Sequence, residues 1–256
     1  MKHSKFPFIL TIIVLVFFWL PILILIFNSF NASRFGSVWG GFTLKWYEKL
    51  FADTNVWRSV ENTAIVTVVS TAVSLVIGSL AGFALHRYKS KFQKIHMGLI
   101  WVPLVIPDIL MGMSLLLFFI SVKIPLGLFT IILGHITFCI SYVAVTILAR
   151  LQDFDYTVVE AARDLGARGW TLFRKIYLPL LTPGLLAGAM LSITLSLDDF
   201  IITFFTAGPG SSTLPLQIYS MIKFGTPPVI NALSTLFLML TFLLALIYQR
   251  LSRRNS

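Results

Sequence analysis

The sequence contains few charged residues and only one cysteine. Charged residues occupy 12% of the 256 positions, which is about half of the fraction usual in soluble domains. Cys139 lies inside an apolar run, which excludes a disulfide framework and a cysteine-based metal site. The Walker A pattern Gly-x-x-x-x-Gly-Lys-Ser/Thr is missing, so this chain does not bind ATP through such a loop.

Candidate catalytic groups are equally scarce. The four histidines are scattered without the spacing of metal ligands. No arrangement of a nucleophile with a base is apparent either. We therefore expect no metal, no cofactor and no enzymatic activity in this chain.

Apolar residues are abundant and make up 57% of the chain. They form six runs, each long enough to cross about 30 Å of hydrocarbon. The first run is too long for a signal peptide, and no small-residue cleavage site follows it. The predicted spans are Phe8–Phe27, Val60–Leu85, Met97–Ser121, Leu128–Ala149, Pro183–Thr206 and Val229–Gln249. The sequence thus predicts an all-α membrane protein with six transmembrane helices in one domain, residues 1–256.

The basic residues account for the formal net charge of +10 and lie mainly at the ends of the predicted spans. This placement indicates membrane topology rather than nucleic-acid binding. When the sides of the membrane are assigned alternately, most basic residues, including Lys2 and Lys5, fall on the side of the N-terminus. The positive-inside rule therefore predicts that both termini and the charged segment Arg150–Leu180 are cytoplasmic.

The segment Arg150–Leu180, called the coupling segment below, lies between two apolar spans. Thr157 and Glu160 have the spacing of a capping box, which predicts that a helix begins there. An apolar stripe at helical spacing follows, and Gly166 is well placed to end the helix in a left-handed conformation. The stripe consists of Val158, Ala161, Ala162 and Leu165.

A second short helix is predicted over Trp170–Tyr177. Pro179 and Pro183 then interrupt it and begin the fifth span. Periodicity alone leaves another interpretation open, in which this segment is an amphipathic loop on the membrane surface or beneath the protein's own helices.

The residues of the coupling segment match a known motif. The matching positions are Glu160, Ala161, Ala162, Gly166, Ile176, Leu178 and Pro179. This pattern resembles the EAA motif of ABC-importer permeases. The resemblance implies a cytoplasmic helix-turn-helix that docks in a groove of an ATPase subunit, with these seven residues as the coupling element.

Three acidic residues lie inside predicted spans. Asp108 lies in the third span, and Asp198 and Asp199 lie in the outer half of the fifth. An ionised carboxylate in hydrocarbon is costly and normally faces a cavity, a partner or a substrate. Pro103 and Pro107 precede Asp108 and predict a kinked, opened helix there.

These acids lack a counter-charge, because no Lys or Arg lies within the core of any predicted span. An external cation can supply it, and aromatic rings can add cation–π contacts. The aromatic candidates are Trp101, Phe118, Phe119, Tyr142, Phe200, Phe204 and Phe205. We expect Asp108 and Asp198 to line a substrate path and Asp199 to serve structure or gating there. The alternative is local satisfaction by Ser192, Thr194, Ser196, Thr203 or a helix N-terminus.

Three further stretches sharpen the resemblance. They are Ile106–Ile109, Ser192–Phe200 and Leu214–Lys223, the last of which is also predicted as a short helix in an outer loop. They look like the PotC type of permease from spermidine/putrescine importers, and the likeness covers nearly the whole chain. It implies a type I ABC-importer permease fold. It also implies a second homologous permease subunit, two ATP-binding subunits, an external substrate-binding protein and a place in the bacterial inner membrane.

Two other functions remain open from the residues. One is an importer for another solute, such as ferric iron, which also binds carboxylates. A cation-coupled secondary transporter would use intramembrane aspartates as a relay. Two glycine pairs, Gly78 with Gly82 and Gly184 with Gly188, predict close helix packing, either inside the chain or at a subunit interface.

Overall fold

The computed structural model describes residues 6–34, 38–89, 91–152, 155–225 and 227–254, with side chains up to residue 243 except at 227 and 240. The described residues are almost entirely helical, and their one β-feature is an isolated bridge between Asn31 and Phe42. The predicted all-α fold is therefore confirmed. Lys2 and Lys5, which the topology prediction uses, lie outside the described residues.

The described helices are numbered in chain order. They are α1 (Phe6–Ser29), α2 (Lys45–Ala52), α3 (Thr54–Arg87), α4 (Gln93–Val105), α5 (Asp108–Ser121), α6 (Leu128–Gln152), α7 (Thr157–Asp164), α8 (Gly169–Leu172), α9 (Leu178–Asp198), α10 (Ile201–Thr206), α11 (Leu214–Phe224) and α12 (Pro227–Arg254). A π-helical turn, Phe173–Tyr177, joins α8 to α9. The predicted short outer helix is present as α11.

Among the described residues, four helices are long and apolar enough to cross a membrane, and a strongly bent pair adds a fifth. The four are Phe6–Ser29, Thr54–Arg87, Leu128–Gln152 and the continuous segment Gly169–Asp198. The sixth predicted span coincides with α12, in which the described segment Pro228–Leu243 is an apolar helix. Each predicted span therefore corresponds to helical structure, but the third and fifth differ in shape from the prediction.

The third predicted span, Met97–Ser121, is broken rather than merely kinked. α4 ends at Val105, α5 begins at Asp108, and the two helices are bent by 110°. Ile106 is extended, with ψ of 132°, because a residue before proline is disfavoured in helical conformation. Asp108 is consequently the first residue of a helix and not a residue within one.

The predicted start of the fifth span at Pro183 is wrong. One helical segment runs without a break from Gly169 to Asp198, so neither Pro179 nor Pro183 interrupts it. Pro179 occupies the first turn of α9, directly after the π-helical turn. The wider π turn accommodates the proline ring, which would clash with a regular α-helical turn before it.

The predicted end of the fifth span at Thr206 is also wrong. The helix stops at Asp198, Asp199 is extended with ψ of 123°, and the short helix α10 begins at Ile201. The two acids predicted within one helix therefore lie at a break between two helices.

The described residues within Met1–Trp57 and Gln217–Ser256 form one compact unit. In it α1 packs along α12, where the rings of Trp19 and Phe242 lie 6.1 Å apart. α2 also packs on α12, and the buried Trp46 donates from Nε1 to the carbonyl oxygen of Asn31 at 2.7 Å. The remaining faces of α1 expose large apolar side chains, as a helix surrounded by lipid or apolar helices does.

The described residues within Arg58–Leu216 form the second unit, in which α6 is the central helix. Gly78 and Gly82 bring α3 against α6, because an added Cβ at either glycine would lie 2.8 Å from an α6 carbonyl oxygen. Gly184 and Gly188 bring α9 against α6 as well, where added Cβ atoms would lie 3.0 Å from Cβ of Arg150 and 3.6 Å from Val143. Both glycine pairs therefore serve packing within the chain, as the first of the two sequence interpretations expects.

Candidate functional site

Three acidic residues and several aromatic rings line one cavity in the second unit. Asp108, Asp198 and Asp199 all border it, although they come from two different helix breaks. The cavity has a volume of about 430 Å³, and its other lining residues are Pro103, Phe138, Tyr142, Leu195, Phe200, Ile201 and Ile202. We call it the acid cavity. Its lining contains no Lys or Arg among the described residues, so the carboxylates face no opposite charge there.

Two of the three carboxylates are accessible. Asp108 begins α5 and Asp198 ends α9, and both side chains are exposed. No described hydrogen bond or ion pair reaches either carboxylate. Asp198 lies among the last carbonyls of α9, which have no partners within the helix and form the negative end of its dipole. A cation is the natural partner for this end of the cavity.

Asp199 has a different environment. Its carboxylate accepts hydrogen bonds from the amides of Ile202 at 3.3 Å and Thr203 at 2.8 Å, and from the Thr203 hydroxyl at 2.9 Å. Nε2 of His135 lies 3.2 Å from its Oδ2 atom. Asp199 therefore caps the start of α10, and local satisfaction by Thr203 and a helix N-terminus, the alternative for all three acids, is found for this one.

The aromatic lining only partly matches the sequence candidates. Tyr142 and Phe200 border the acid cavity, whereas the other five candidates are not among its lining residues. Phe138 borders it and was missed, because an apolar residue in an apolar span carries no distinguishing signal. His135 lies one turn before Phe138 and is buried and hydrogen-bonded, as a satisfied core histidine is expected to be.

The coupling segment begins its first helix at Thr157, as predicted, but for a different reason. The expected capping box is not formed: the amide and the hydroxyl of Thr157 both donate to Oδ1 of Asp155, at 2.9 and 2.7 Å. Both hydrogen bonds lower the pKa of Asp155 below its ordinary value, and the bond from the Thr157 hydroxyl has the larger effect. The aspartate two residues earlier therefore caps the chain in place of the Thr157–Glu160 pair.

Gly166 ends this helix as predicted. Its φ is +84°, and the surrounding bonds form a Schellman motif. The amide of Ala167 donates to the carbonyl of Ala162 at 2.9 Å, and that of Gly166 donates to the carbonyl of Arg163, also at 2.9 Å. A second left-handed glycine, Gly169 with φ of +51°, precedes α8 and was not anticipated.

The inward face of the coupling segment packs on the end of α3. Val159, Leu172 and Tyr177 form its buried core, and the Tyr177 ring meets the Phe83 ring of α3 edge to face at 5.2 Å. The predicted stripe is partly wrong, because Val158 and Leu165 are exposed and Val159 is the residue that turns inward. The segment therefore has a fixed inner side and a largely free outer side.

The outer side carries most of the seven motif residues. Glu160, Ala161, Gly166, Leu178 and Pro179 are exposed, and Ala162 and Ile176 are half-buried. Large apolar side chains extend this surface: Leu165 is 89% exposed, and the exposed Trp170 stacks on Phe173 with 5.3 Å between ring centroids. A fully exposed leucine beside a tryptophan is typical of a surface that another protein covers.

Glu160 also borders a second, smaller cavity. It has a volume of about 340 Å³ and is lined by His86, Arg87, Lys89, Tyr156, Val159, Glu160, Arg163 and Tyr177. Basic side chains from the end of α3 thus face the first helix of the coupling segment.

Comparison with known proteins identifies the family to which the chain belongs. The model of the family described as "Binding-protein-dependent transport system inner membrane component" matches residues 74–256. The chain is 42% identical to the spermidine/putrescine transport system permease protein PotC of Escherichia coli K12, over 94% of this chain and 91% of that one. It is 36% identical to the putrescine transport system permease protein PotI of the same strain, over 92% and 86% of the two chains.

Solved structures support the same fold. A bacterial ABC transporter that imports the acidic polysaccharide alginate aligns with a TM-score of 0.73 and 16% identity, over 98% of this chain and 99% of that one. The MetNI methionine ABC transporter, in inward-facing conformations, aligns with a TM-score of 0.60 and 19% identity, over 84% and 99%. At identities of 16% and 19%, these two structures support the fold alone. The family match and the two relatives show that the chain belongs to the family of inner-membrane components of binding-protein-dependent transport systems, the permeases of ABC importers.

Proposed function

We propose that this chain is a permease subunit of an ATP-driven importer of polyamines such as spermidine and putrescine. It forms part of the translocation path, and the acid cavity is where the path engages the substrate. The names of the relatives support the substrate class. The single observation on this chain that carries it is the acid cavity, in which three carboxylates meet no Lys or Arg.

The distribution of the acids favours an extended cation over a compact one. Asp108, Asp198 and Asp199 border the same cavity, yet no three acidic, histidine or cysteine side chains among the described residues are grouped as a metal ion would need. A polyamine carries ammonium groups spaced along an apolar chain. Carboxylates spread around a cavity with Tyr142 and Phe200 in its wall suit such a molecule.

The two helix breaks fit this role as well. Discontinuous helices at a transport site offer unpaired backbone carbonyls and the negative ends of helix dipoles to cations. α4 ends beside the acid cavity at Pro103–Val105, and α9 ends at Asp198. The cation site thus combines accessible carboxylates with carbonyl-rich helix ends.

The coupling segment is the proposed contact with an ATP-binding subunit. Its exposed outer side presents Ala161, Leu165 and Trp170, while its inner side packs on α3. A movement imposed on this segment is therefore passed to a helix of the permease. The assembly we propose has a second homologous permease subunit, two ATP-binding subunits and an external substrate-binding protein.

The alternatives are less well supported. Family membership in binding-protein-dependent transport opposes a secondary transporter driven by a cation gradient. A permease for ferric iron would need a compact ligand set, whereas the acids here are spread along the cavity wall.

Radiolabelled uptake by proteoliposomes containing the complete complex tests this proposal. Asp108→Asn and Asp198→Asn preserve size and remove charge. Each should lower putrescine and spermidine uptake per intact complex by about tenfold or more, since a hydrogen bond to a charged group contributes roughly 1.5–3 kcal/mol. Glu61→Gln is the matched control, because Glu61 is exposed on α3 and does not line the acid cavity.

Wild-type uptake in both neutralised variants would refute the proposed cation path. Loss of uptake together with loss of assembly would assign the two acids to structure instead. If the intact wild-type complex takes up neither labelled putrescine nor labelled spermidine, its substrate is another solute.

A further inference from the structure

The three acids of the cavity are not equivalent. Asp199 accepts from two amides and one hydroxyl of α10 and also meets the imidazole of His135. No described partner reaches the carboxylates of Asp108 and Asp198. One acid is therefore held by the protein, and two remain accessible to a ligand.

Among the described contacts of Asp199, the one with His135 ties it to a different span. His135 lies on α6, sixty-four residues before Asp199 in the sequence. Its Nε2 atom lies 3.2 Å from Asp199 Oδ2 and 3.0 Å from Thr203 Oγ1. The other described contacts of Asp199 come from the helix that it caps. His135 therefore joins the acid itself to α6, next to the hydrogen bond from Thr130 to the Thr206 carbonyl that holds the far end of α10.

The opposite side of the imidazole is held just as firmly. Nδ1 lies 2.8 Å from the hydroxyl of Ser196 on α9, and that hydroxyl lies 3.2 Å from the hydroxyl of Thr67 on α3. All of these groups are buried, with His135 only 1% exposed. A buried polar network whose members all have partners specifies one arrangement of its helices.

We infer that His135 is a positioning residue of the acid cavity: it holds Asp199 as the cap of α10 and thereby leaves Asp108 and Asp198 as the two cation ligands. This inference rests on the proposed function and deepens it. The site engages two ammonium groups of a substrate at once, and the third carboxylate belongs to the architecture of the break. Loss of the imidazole contact releases Asp199 and disturbs the orientation of Asp198, its neighbour in the chain.

Replacing His135 by Gln or by Asn tests the contacts of its two ring nitrogens separately. Gln places its amide nitrogen near the position of Nε2 and so keeps a donor for Asp199. Asn reaches only the position of Nδ1 and keeps the contact with Ser196. A role in packing alone would not favour one over the other, because both are uncharged, polar and smaller than histidine.

Amide hydrogen exchange in the purified complex measures the positioning without any substrate. In His135→Asn, the peptide covering residues 200–206 should exchange about tenfold faster than in the wild type, because the amides of Ile202 and Thr203 donate to Asp199. His135→Gln should stay within about twofold of the wild type. Thr137→Val is the control, since the described bond of that hydroxyl goes to the carbonyl of Leu133 in its own helix.

Uptake of putrescine by the same complexes measures the consequence. His135→Asn should raise the KM about tenfold, and His135→Gln should restore it to within about twofold of the wild-type value. If His135→Asn does not assemble, Thr203→Val compared with Thr203→Ser removes or keeps the hydroxyl that donates to Asp199. The valine variant should then show the faster exchange and the serine variant should not.

Equal exchange in the Gln and Asn variants, or wild-type exchange in both, would overturn the inference. The failure of the proposed function gives a different pattern. In that case exchange still separates Gln from Asn, while Asp108→Asn and Asp198→Asn import polyamines normally.

Discussion

The amide of Ala167 donates to the carbonyl of Ala162 across the turn at Gly166, whose φ is +84°. This 2.9 Å bond closes the first helix of the coupling segment and fixes the direction in which the chain leaves it. No atom lies within 4 Å of the position that a Cβ on Gly166 would occupy. Any effect of a substitution at Gly166 therefore comes from the backbone conformation and not from a clash.

Gly166→Val should uncouple transport. A β-branched residue in the left-handed conformation costs about 1–2 kcal/mol. We expect the turn to change its conformation and so to displace the two helices of the coupling segment relative to each other. Substrate-dependent uptake by the reconstituted complex should fall about tenfold, since 1.4 kcal/mol corresponds to a factor of ten. Gly166→Asn is the control, because asparagine tolerates this conformation, and it should retain most of the uptake. Full uptake by the valine variant would contradict the assignment.

Gly78→Ala should destabilise the second unit. The added Cβ would lie 2.8 Å from the carbonyl oxygen of Ile140 and 2.8 Å from Cβ of Val143, neither of which can yield easily. Overpacking of this kind costs about 1–3 kcal/mol. Thermal unfolding of the purified complex should shift to lower temperature.

Gly98→Ala provides the matched control for this substitution. Gly98 is also helical, in α4, but its added Cβ would meet nothing within 4 Å. Alanine is favoured over glycine in a helix by up to about 1 kcal/mol, so this variant should unfold at the same or a higher temperature. If both variants unfold alike, close packing of α3 on α6 is not what Gly78 provides.

The sequence predicted the helical class and the approximate place of the apolar helices because long apolar runs carry a strong signal, but it misplaced both ends of the fifth span. It also predicted the helix end at Gly166, where one residue type satisfies a local backbone need. The break at Ile106–Pro107 was partly visible, since proline restricts the residue before it, but its 110° bend depends on tertiary packing.

The break at Asp199 carried no such local signal. Neither a proline nor a glycine lies between Leu195 and Ala207. The helix stops there because Asp199 caps α10 and meets His135, a residue distant in the sequence. The sequence therefore identified the three acids as a set, whereas only the structure separates the capping acid from the two accessible ones.

Orientation in the membrane can be tested at positions that are exposed on the two predicted sides. The positive-inside rule places the coupling segment in the cytoplasm and the loop between α10 and α11 outside. Leu165 and Pro209 are exposed in these two regions.

Cys139 is buried and is the single native cysteine, so Cys139→Ala gives a background in which each introduced cysteine reports alone. A membrane-impermeant maleimide should label Pro209→Cys in intact cells and Leu165→Cys only after permeabilisation. A reporter fused after Ser256 should be cytoplasmic. Labelling of Leu165→Cys from outside would reverse the orientation, and the coupling segment could then not meet a cytoplasmic ATP-binding subunit.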